Sequence, residues 1–468
     1  MSTIAERVDA LPDPGIHPVP REHRVLSGLD CAVLWGDLGV GLLVLVTGAY
    51  LVPALGFGSA LVAIVLGSVI GVALLGLAAA PGADYGLPTM VLFRPILGVR
   101  GSWLPSALNA LQLIGWTAVE LWAMSFVADE VAKATLGFSA RWLWLSIAAL
   151  VCTALALWGP VGVARVWLKR FGAWLTVGIC LVVTVLAFTS DGIGATLSAG
   201  GSGGYPTFGP ALDLVIAMPV SWLPLVADYT RFARGRRSAS IGTALGYLIA
   251  NVWLYALGAL LVLSGGATPS PAGIAGGVLA LAGGTLAGAL FLLGLLAGET
   301  DGAFADVYSG AVSLQNVWPR LSQRSLVVAI AIAGTVLAAW LTMDRYIAFL
   351  LLIGSVFVPL FGLLAARYFV GGARIDVPGL YERGEYWFGG GIRAVAFLPW
   401  IAGVLVFHWI APTGPTWWTE FVRDVAGTPL SERWGWLNAS LPAFATSFAL
   451  ALLVRGRSGA RPGGRAAV

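Results

Sequence analysis

Trp35-Gly-Asp-Leu-Gly-Val-Gly41 sets three glycines and an acid inside an apolar run, and Met218-Pro-Val-Ser-Trp-Leu-Pro224 sets two prolines around a serine inside another. Glycine weakens a helix interior, and proline deletes a backbone hydrogen bond and clashes with the preceding turn. Each run therefore reads as a membrane helix interrupted near its middle. Unpaired backbone groups are tolerated at membrane depth only where they line a cavity or are buried in protein. Broken helices at matching places in two halves of a chain point to the site of a secondary transporter. Taken singly, each segment also reads as a plain kink in a packed helix. Equivalence of the first and sixth helices implies two five-helix repeats of opposite orientation, with two helices appended.

The rest of the chain has the composition this requires. Of 468 residues, 58% are hydrophobic and 11% are charged, against about 25% charged in soluble proteins. Mean hydropathy is +0.87, and apolar runs of ~20 residues, the bilayer-crossing length, recur almost end to end. A soluble enzyme, a nucleic-acid binder and a disordered scaffold are all excluded. The net charge of +4 does not point to nucleic acid, because the basic residues sit at the ends of apolar runs, as topology signals do. Cys31, Cys152 and Cys180 lie in apolar stretches without CxxC spacing, and His17, His23 and His408 form no ligand set, so no disulfide framework, metal centre or cofactor site follows. Met1 to Arg24 is polar and Pro-rich, which reads as a cytosolic tail rather than a cleaved signal.

The fold expected is an all-α polytopic membrane protein with twelve spans, near 29–53, 57–80, 103–129, 141–159, 171–189, 209–230, 239–264, 275–300, 325–342, 345–368, 394–411 and 436–454. With the N-terminus inside, 22 of the 27 Lys and Arg residues fall on the cytosolic side, a bias that a wrong count would not give. The expected organisation is a cytosolic tail (1–28), a first five-helix repeat (29–189), an inverted second repeat (190–368), two further helices (369–454) and a basic cytosolic tail (455–468). Gly67-xxx-Gly71, Gly242-xxx-Gly246 and Gly284-xxx-Gly288 read as close-packing faces. Asp228 is expected to pair with a nearby arginine and anchor a loop. Trp417, Trp418, Trp434 and Trp436 read as an outer-interface belt.

Five acids fall within or beside the spans: Asp37 in the first break, Glu120 in span three, and Glu299, Asp301 and Asp306 where span eight ends or continues toward the cytosol. A charge at the bilayer centre costs about 2.5–3.5 kcal/mol on insertion scales, so such residues face a pathway or a partner. Each also has a structural reading: Asp37 as the N-cap of the second half of helix one, Glu120 as partner of a buried donor, Glu299 and Asp306 as interface residues. With no intramembrane basic residue to match them, the five together favour a cation-binding cavity. Trp116 and Glu120 are i and i+4 on one helix face. They offer a flat surface for stacking and an acceptor for ring N–H groups, which suits a planar heterocycle. Ala297, Thr300 and Asp301, at i, i+3 and i+4, supply one carbonyl and two side-chain oxygens, half of an alkali-cation site. The broken backbone from Gly36 through Gly39 to Gly41 supplies the other half.

These residues carry a resemblance to the nucleobase–cation symporter family that includes cytosine and hydantoin permeases. The segments are Tyr85-Gly-Leu-Pro-Thr-Met with Arg94 and Arg100-Gly-Ser, Leu111-Gln-Leu-Ile-Gly-Trp-Thr-Ala-Val-Glu120, Ser221-Trp-Leu-Pro-Leu-Val-Ala-Asp-Tyr-Thr-Arg-Phe232, and Asp306-Val-Tyr-Ser-Gly-Ala-Val-Ser-Leu-Gln-Asn316. Within the family the chain looks closest to the branch of hydroxymethylpyrimidine (thiamine-precursor) transporters. The resemblance implies a five-plus-five inverted-repeat fold with substrate between helices one, three, six and eight. It implies that Trp116 stacks on the ring, that Glu120 hydrogen-bonds it, and that Val220, Ser221 and Trp222 contribute contacts from the helix-six break. It places a sodium site at helix-one carbonyls with Ala297, Thr300 and Asp301, and Asp306 at a substrate-binding position. A slip of one or two residues in helix eight keeps Glu299 in contention. Glu120, Asp301 and Asp306 depart from the neutral side chains usual at these places, which leaves the coupling ion open between Na+ and H+.

The function expected is secondary active import of a nucleobase-like heterocycle by Na+ or H+ symport through alternating access, with Asp37 and Asp301 holding or sensing the cation. The expected partners are a small heterocycle and the lipid bilayer, without nucleic acid, in a monomer of the inner (plasma) membrane with both termini cytoplasmic. An amine or amino-acid carrier on the same fold is the alternative, and Asp37 would repel an amino acid's carboxylate. A membrane enzyme would need a nucleophile–base set or metal ligands at membrane depth, which the histidines do not supply.

Overall fold

A capping box starts the first span: Asp30 N donates to Ser27 Oγ at 3.2 Å and Ser27 N donates to Asp30 Oδ2 at 2.9 Å, a reciprocal arrangement that satisfies two otherwise orphan donors. Helix α1 (Gly28–Leu38) begins there. It ends where Gly39 N donates to Trp35 O and Val40 N to Asp37 O. After an extended Gly41, α2 (Leu42–Tyr50) sets off at 59° to α1. The first predicted break is a bend between two helices.

The computed structural model describes residues 14–158, 173–189, 193–282, 286–372, 374–381 and 383–454. Within them the chain continues through α3 (Phe57–Tyr85), α4 (Trp103–Leu136), α5 (Arg141–Trp158) and α6 (Ala173–Phe188). Next come α7 (Phe208–Ser221), α8 (Val226–Thr230), α9 (Arg236–Gly265), α10 (Pro271–Leu281) and α11 (Leu286–Val317). The last are α12 (Gln323–Ala338), α13 (Met343–Ala365), α14 (Phe397–Ile410), α15 (Thr416–Ala426) and α16 (Ser440–Leu453). The described residues contain no strand beyond one isolated bridge, Leu26 to Ala233. Among the described residues, seven spans are long and apolar enough to cross a membrane, eight with the bent α1–α2 pair, and several shorter apolar helices accompany them. Arg165, Lys169, Arg170 and the basic tail 455–468 lie outside the described residues.

The second predicted break is also present. Pro219 lies inside α7, the helix stops at Ser221, and α8 resumes at Val226. Two carbonyls of the break find donors on α4: Asn109 Nδ2 reaches Pro224 O at 3.1 Å and Gln112 Nε2 reaches Ser221 O at 3.3 Å. That is how an irregular backbone is accommodated at membrane depth. Residues 209–230 are all buried, whereas 22% of α5 is, so the second break is central and α5 is peripheral. α11 packs along α4, and α9 packs on α1, α2 and α3.

Small residues set these contacts. A Cβ on Gly246 would come within 2.1 Å of Ala32 O, and one on Gly71 within 2.3 Å of Pro219 Cγ. At 283–285 the third predicted packing face lies partly outside the described residues.

Two expectations are corrected. Span three runs on to Leu136 rather than stopping at 129, its polar end held by Lys133 against Asp129 and Glu130. Span eight is not 275–300: α10 is a separate helix, and α11 continues for 32 residues. Its packing along α4 carries the helix through Glu299, Asp301 and Asp306, which lie in its middle rather than at its end. The N-terminal tail is a packed strap from residue 14 onward, with Ile16, Val19 and Leu26 buried. Val19 N bonds Gly86 O, Leu26 N bonds Phe232 O, and Arg234 N bonds Leu26 O, each at 2.9 Å.

Candidate functional site

The two breaks meet α4, α9 and α11 around a cavity of about 40 Å³, room for a few waters at most. α1–α2 contribute Leu38 and Gly41, α4 contributes Trp116 and Glu120, and the α7 break contributes Ser221 and Trp222. α9 adds Tyr247, and α11 adds Glu299, Gly302 and Asp306. The i, i+4 spacing of Trp116 and Glu120 thus delivers both to one wall. The Trp116 ring meets Phe349 and Tyr346 edge-on at 5.6 and 6.1 Å, and its Nε1–H has no protein acceptor. Trp222 donates from Nε1 to Tyr247 Oη at 3.0 Å and stands perpendicular to the buried Trp35 at 5.7 Å.

All five predicted acids are buried, and among the described residues none pairs with Lys or Arg. They divide into three arrangements. The carboxyls of Glu120 and Asp306 are in hydrogen-bond contact with each other, and Glu120 Oε2 and Asp306 Oδ2 have no protein donor. Asp37 and Asp301 form a second contact, with neither Asp37 oxygen reached by a donor. Glu299 stands alone and accepts from Leu43 N at 3.4 Å. The N-cap of α2 is Gly41, which has no side chain to offer, and a Cβ there would fall 2.5 Å from Glu299 Oε1. Glu299 therefore caps α2 from across the cavity, meeting the orphan N–H groups of a helix start. That is the role the sequence reading considered for Asp37.

The predicted cation set does not converge on this cavity. At 100° per residue, Gly298, Gly302 and Asp306 share the cavity face of α11, while Ala297, Thr300 and Asp301 point to the other side. Asp301 turns to Asp37. Thr300 donates from Oγ1 to Leu296 O at 2.8 Å and lines a separate apolar groove of about 390 Å³ with Met124 and Trp144. Gly36 and Gly39 serve close packing: their absent Cβ atoms would lie 3.4 Å from Gly246 O and 2.9 Å from Ala250 Cβ. Val220 is buried and is not on the cavity wall. The carboxylate of Asp228 accepts from Thr89 N at 2.9 Å and lies within electrostatic reach of Arg231, whose Nε donates to the Asp228 carbonyl. Exposed Trp417, Trp434 and Trp436 suit the belt reading, whereas Trp418 donates to His408 Nδ1 at 3.1 Å.

Sequence reasoning missed Gly302, Tyr247 and Tyr346. Gly302 matters because a Cβ there would come within 2.5 Å of Glu120 Oε1. Tyr346 shares a 2.7 Å hydrogen bond with Thr47 Oγ1 and so ties α13 to α2. The available signal was a polar tip inside an otherwise apolar run, since such groups find partners when buried. Below the cavity a polar seam continues: Asn316 Oδ1 accepts from the buried Arg94 Nε at 2.9 Å, and Asn316 Nδ2 donates to Ser102 and Ser106.

Two broken spans enclosing a cavity of carboxyls and indoles define a multi-pass membrane transporter. Residues 18–426 match the family described as permeases for cytosine/purines, uracil, thiamine and allantoin, and the chain belongs to that family. A hydantoin permease of Microbacterium maritypicum is 25% identical over 425 residues, 86% of each chain. The cytosine permease of Escherichia coli K12 is 28% identical over 362 residues, 75% of this chain and 77% of the relative. These relatives are permeases, not enzymes. Among solved structures, Mhp1, a nucleobase-cation-symport-1 family transporter in a closed conformation with bromovinylhydantoin bound, superposes with a TM-score of 0.78 at 20% identity over 95% of both chains. Its inward-facing conformation gives 0.77 at 18% identity, covering 95% of this chain and 93% of that one.

Proposed function

We propose that the chain imports a nucleobase-like heterocycle, such as cytosine or hydroxymethylpyrimidine, by symport with Na+ or H+ through alternating access. The observation that carries this reading is Trp116 with an unclaimed indole N–H beside two mutually facing carboxyls, at the meeting point of both broken helices. A flat ring stacked on Trp116 would present its N–H and amino edges to Glu120 and Asp306. The names of the hydantoin and cytosine permeases support a planar heterocycle. At about 40 Å³ the cavity is far below the 300 Å³ or more of ligand pockets. Admission of a ring therefore moves wall residues such as Leu38 and Met218, as alternation between closed and open forms requires. Twelve spans in two inverted repeats, both termini in the cytosol, the plasma membrane and a monomer complete the proposal.

The uncompensated acids also favour an amine as cargo. An amino acid is disfavoured, because Glu299 already occupies the α2 N-terminus where a carboxylate would sit. Purified protein in liposomes, given labelled cytosine under an imposed inward Na+ or H+ gradient, tests the reading. Saturable accumulation abolished by collapsing one gradient is expected. Accumulation of amines and of no heterocycle overturns it.

A further inference from the structure

We propose that the loop between α13 and α14 forms, with the start of α4, a site for the headgroup of an anionic phospholipid, built from Arg100, Arg383 and Arg393 around Trp387 and Phe388. It does not depend on the cargo, because none of these residues lines the cavity between the broken helices. Main-chain bonds hold the loop in place. Arg100 N and Gly101 N donate to Gly391 O at 2.8 and 3.0 Å, and Arg393 N donates to Leu97 O at 2.8 Å. Gly98 permits this approach: a Cβ there would fall 2.4 Å from Gly391 O, and its φ of 93° favours glycine.

The clasp gathers cations and leaves them uncompensated. The Arg100 and Arg383 guanidiniums share one indole, lying 5.0 and 5.3 Å from the centre of the Trp387 ring, and Arg393 lies 5.6 Å from that of Phe388. Aromatic faces orient a guanidinium without neutralising it. Among the described residues none of the three forms an ion pair. Each has several N–H donors, yet the one side-chain bond these donors make there is Arg100 Nη1 to Gly390 O at 3.4 Å. Burial and the neighbouring Arg367 push the Arg393 guanidinium below its ordinary range, as befits a cation set beside a cation. Of the loop's acids, Asp376 accepts from Gly379 N at 3.2 Å, Glu385 is exposed and makes no ion pair, and Glu382 lies outside the described residues.

The surroundings say what covers these cations. Exposed Trp103, Ile392 and Val395 lie beside them in the chain, and the apolar surface runs on along α14 through exposed Leu398, Ile401 and Leu405. That face of a membrane helix meets lipid tails, so the arginines stand where the tails give way to headgroups. A phosphodiester supplies the opposite charge, and a guanidinium can bind two of its oxygens at once. A soluble anion would leave the apolar rim unused, whereas an anionic phospholipid satisfies both. Bound there, it bridges the loop to the foot of α4, the helix that carries Trp116 and Glu120.

Native mass spectrometry of the delipidated full-length protein, titrated with dioleoyl phosphatidylglycerol or dioleoyl phosphatidylcholine, tests the inference. The anionic lipid is expected to bind at least about tenfold tighter. Arg100→Gln combined with Arg383→Gln is expected to weaken it about 25-fold, at about fivefold per arginine. Arg100→Lys with Arg383→Lys, which keeps the charge without the planar fork, should fall in between. Arg320→Gln with Arg324→Gln removes the same charge at the α11–α12 junction and should change binding less than about threefold. Equal loss in the two Gln pairs, or equal binding of the two lipids, overturns the inference. Glycerol 3-phosphate competing at the lipid's own concentration assigns the site to a soluble phosphate and overturns it too. If the Arg100/Arg383 Gln pair is not monodisperse, Arg393→Gln decides: a loss of about fivefold is expected, and unchanged binding refutes the site.

Discussion

Replacing Glu299 separates two roles for that carboxyl. As the cap of α2 it serves a helix whose own N-cap, Gly41, has no side chain. Loss of an N-cap costs about 0.5–2 kcal/mol, and the helix dipole adds up to ~2 kcal/mol for a buried charge. The Leu43 N to Oε1 distance of 3.4 Å is beyond the usual N–H···O range, which places the hydrogen-bond part at the lower end. Glu299→Ala also relieves repulsion among the cavity acids, so its stability relative to the unaltered protein mixes two effects of opposite sign. Glu299→Gln relieves the same repulsion and keeps an acceptor near Leu43 N. The difference between the two variants isolates the hydrogen-bonding part of the cap, without the charge–dipole part, and the expected value is about 0.5–1 kcal/mol in favour of Gln. Apparent melting of the purified variants, followed by fluorescence-detected size exclusion at one heating rate, reads it. Equal melting of Ala and Gln refutes the capping argument. Loss of Na+ stimulation in Glu299→Gln at unchanged stability reinstates Glu299 as a cation ligand.

Trp116→Ala should weaken heterocycle binding by about 5- to 150-fold, the worth of one stacked base at 1–3 kcal/mol, with Trp116→Phe in between; radioligand binding checks it. Gly246→Ala drives a methyl into Ala32 O, 2.1 Å away on α1, and should cost at least about 1–3 kcal/mol by overpacking, seen as loss of monodisperse protein. Asn316→Ala strands Arg94 Nε and removes the donor to Ser102 and Ser106, whose hydroxyls keep their backbone acceptors, and should cost about 1–3 kcal/mol. Asn316→Asp, which gives Arg94 a carboxylate, should recover most of that in the same melting assay. Tyr346→Phe removes the 2.7 Å bond to Thr47 and should cost about 1 kcal/mol while leaving heterocycle affinity within about threefold.

Both helix breaks were legible in the sequence because glycine and proline act on their own backbone, whatever the rest of the chain does. Trp116 with Glu120 was legible because helical spacing alone puts two residues on one face. What was not legible depends on partners far along the chain. Glu299 caps a helix 256 residues away, and no local pattern distinguishes that from cation ligation. The i, i+3, i+4 set of Ala297, Thr300 and Asp301 was real as a helical face, but the rotation of α11 about its axis decides which face meets the cavity. That rotation is set by packing on α4 through residues such as Gly302. The true length of span eight was missed for a related reason. An acidic stretch lowers local hydropathy whether it leaves the membrane or lines a buried wall.

The strap bonds at Leu26 have a mechanical meaning. One residue before the α1 cap, the chain is stitched by two main-chain hydrogen bonds to Phe232 and Arg234, just past the end of α8. The first half of one fractured span and the second half of the other thus share a clasp, though some 200 residues separate them in the chain. A torque applied to either is delivered to the other without passing through the cargo.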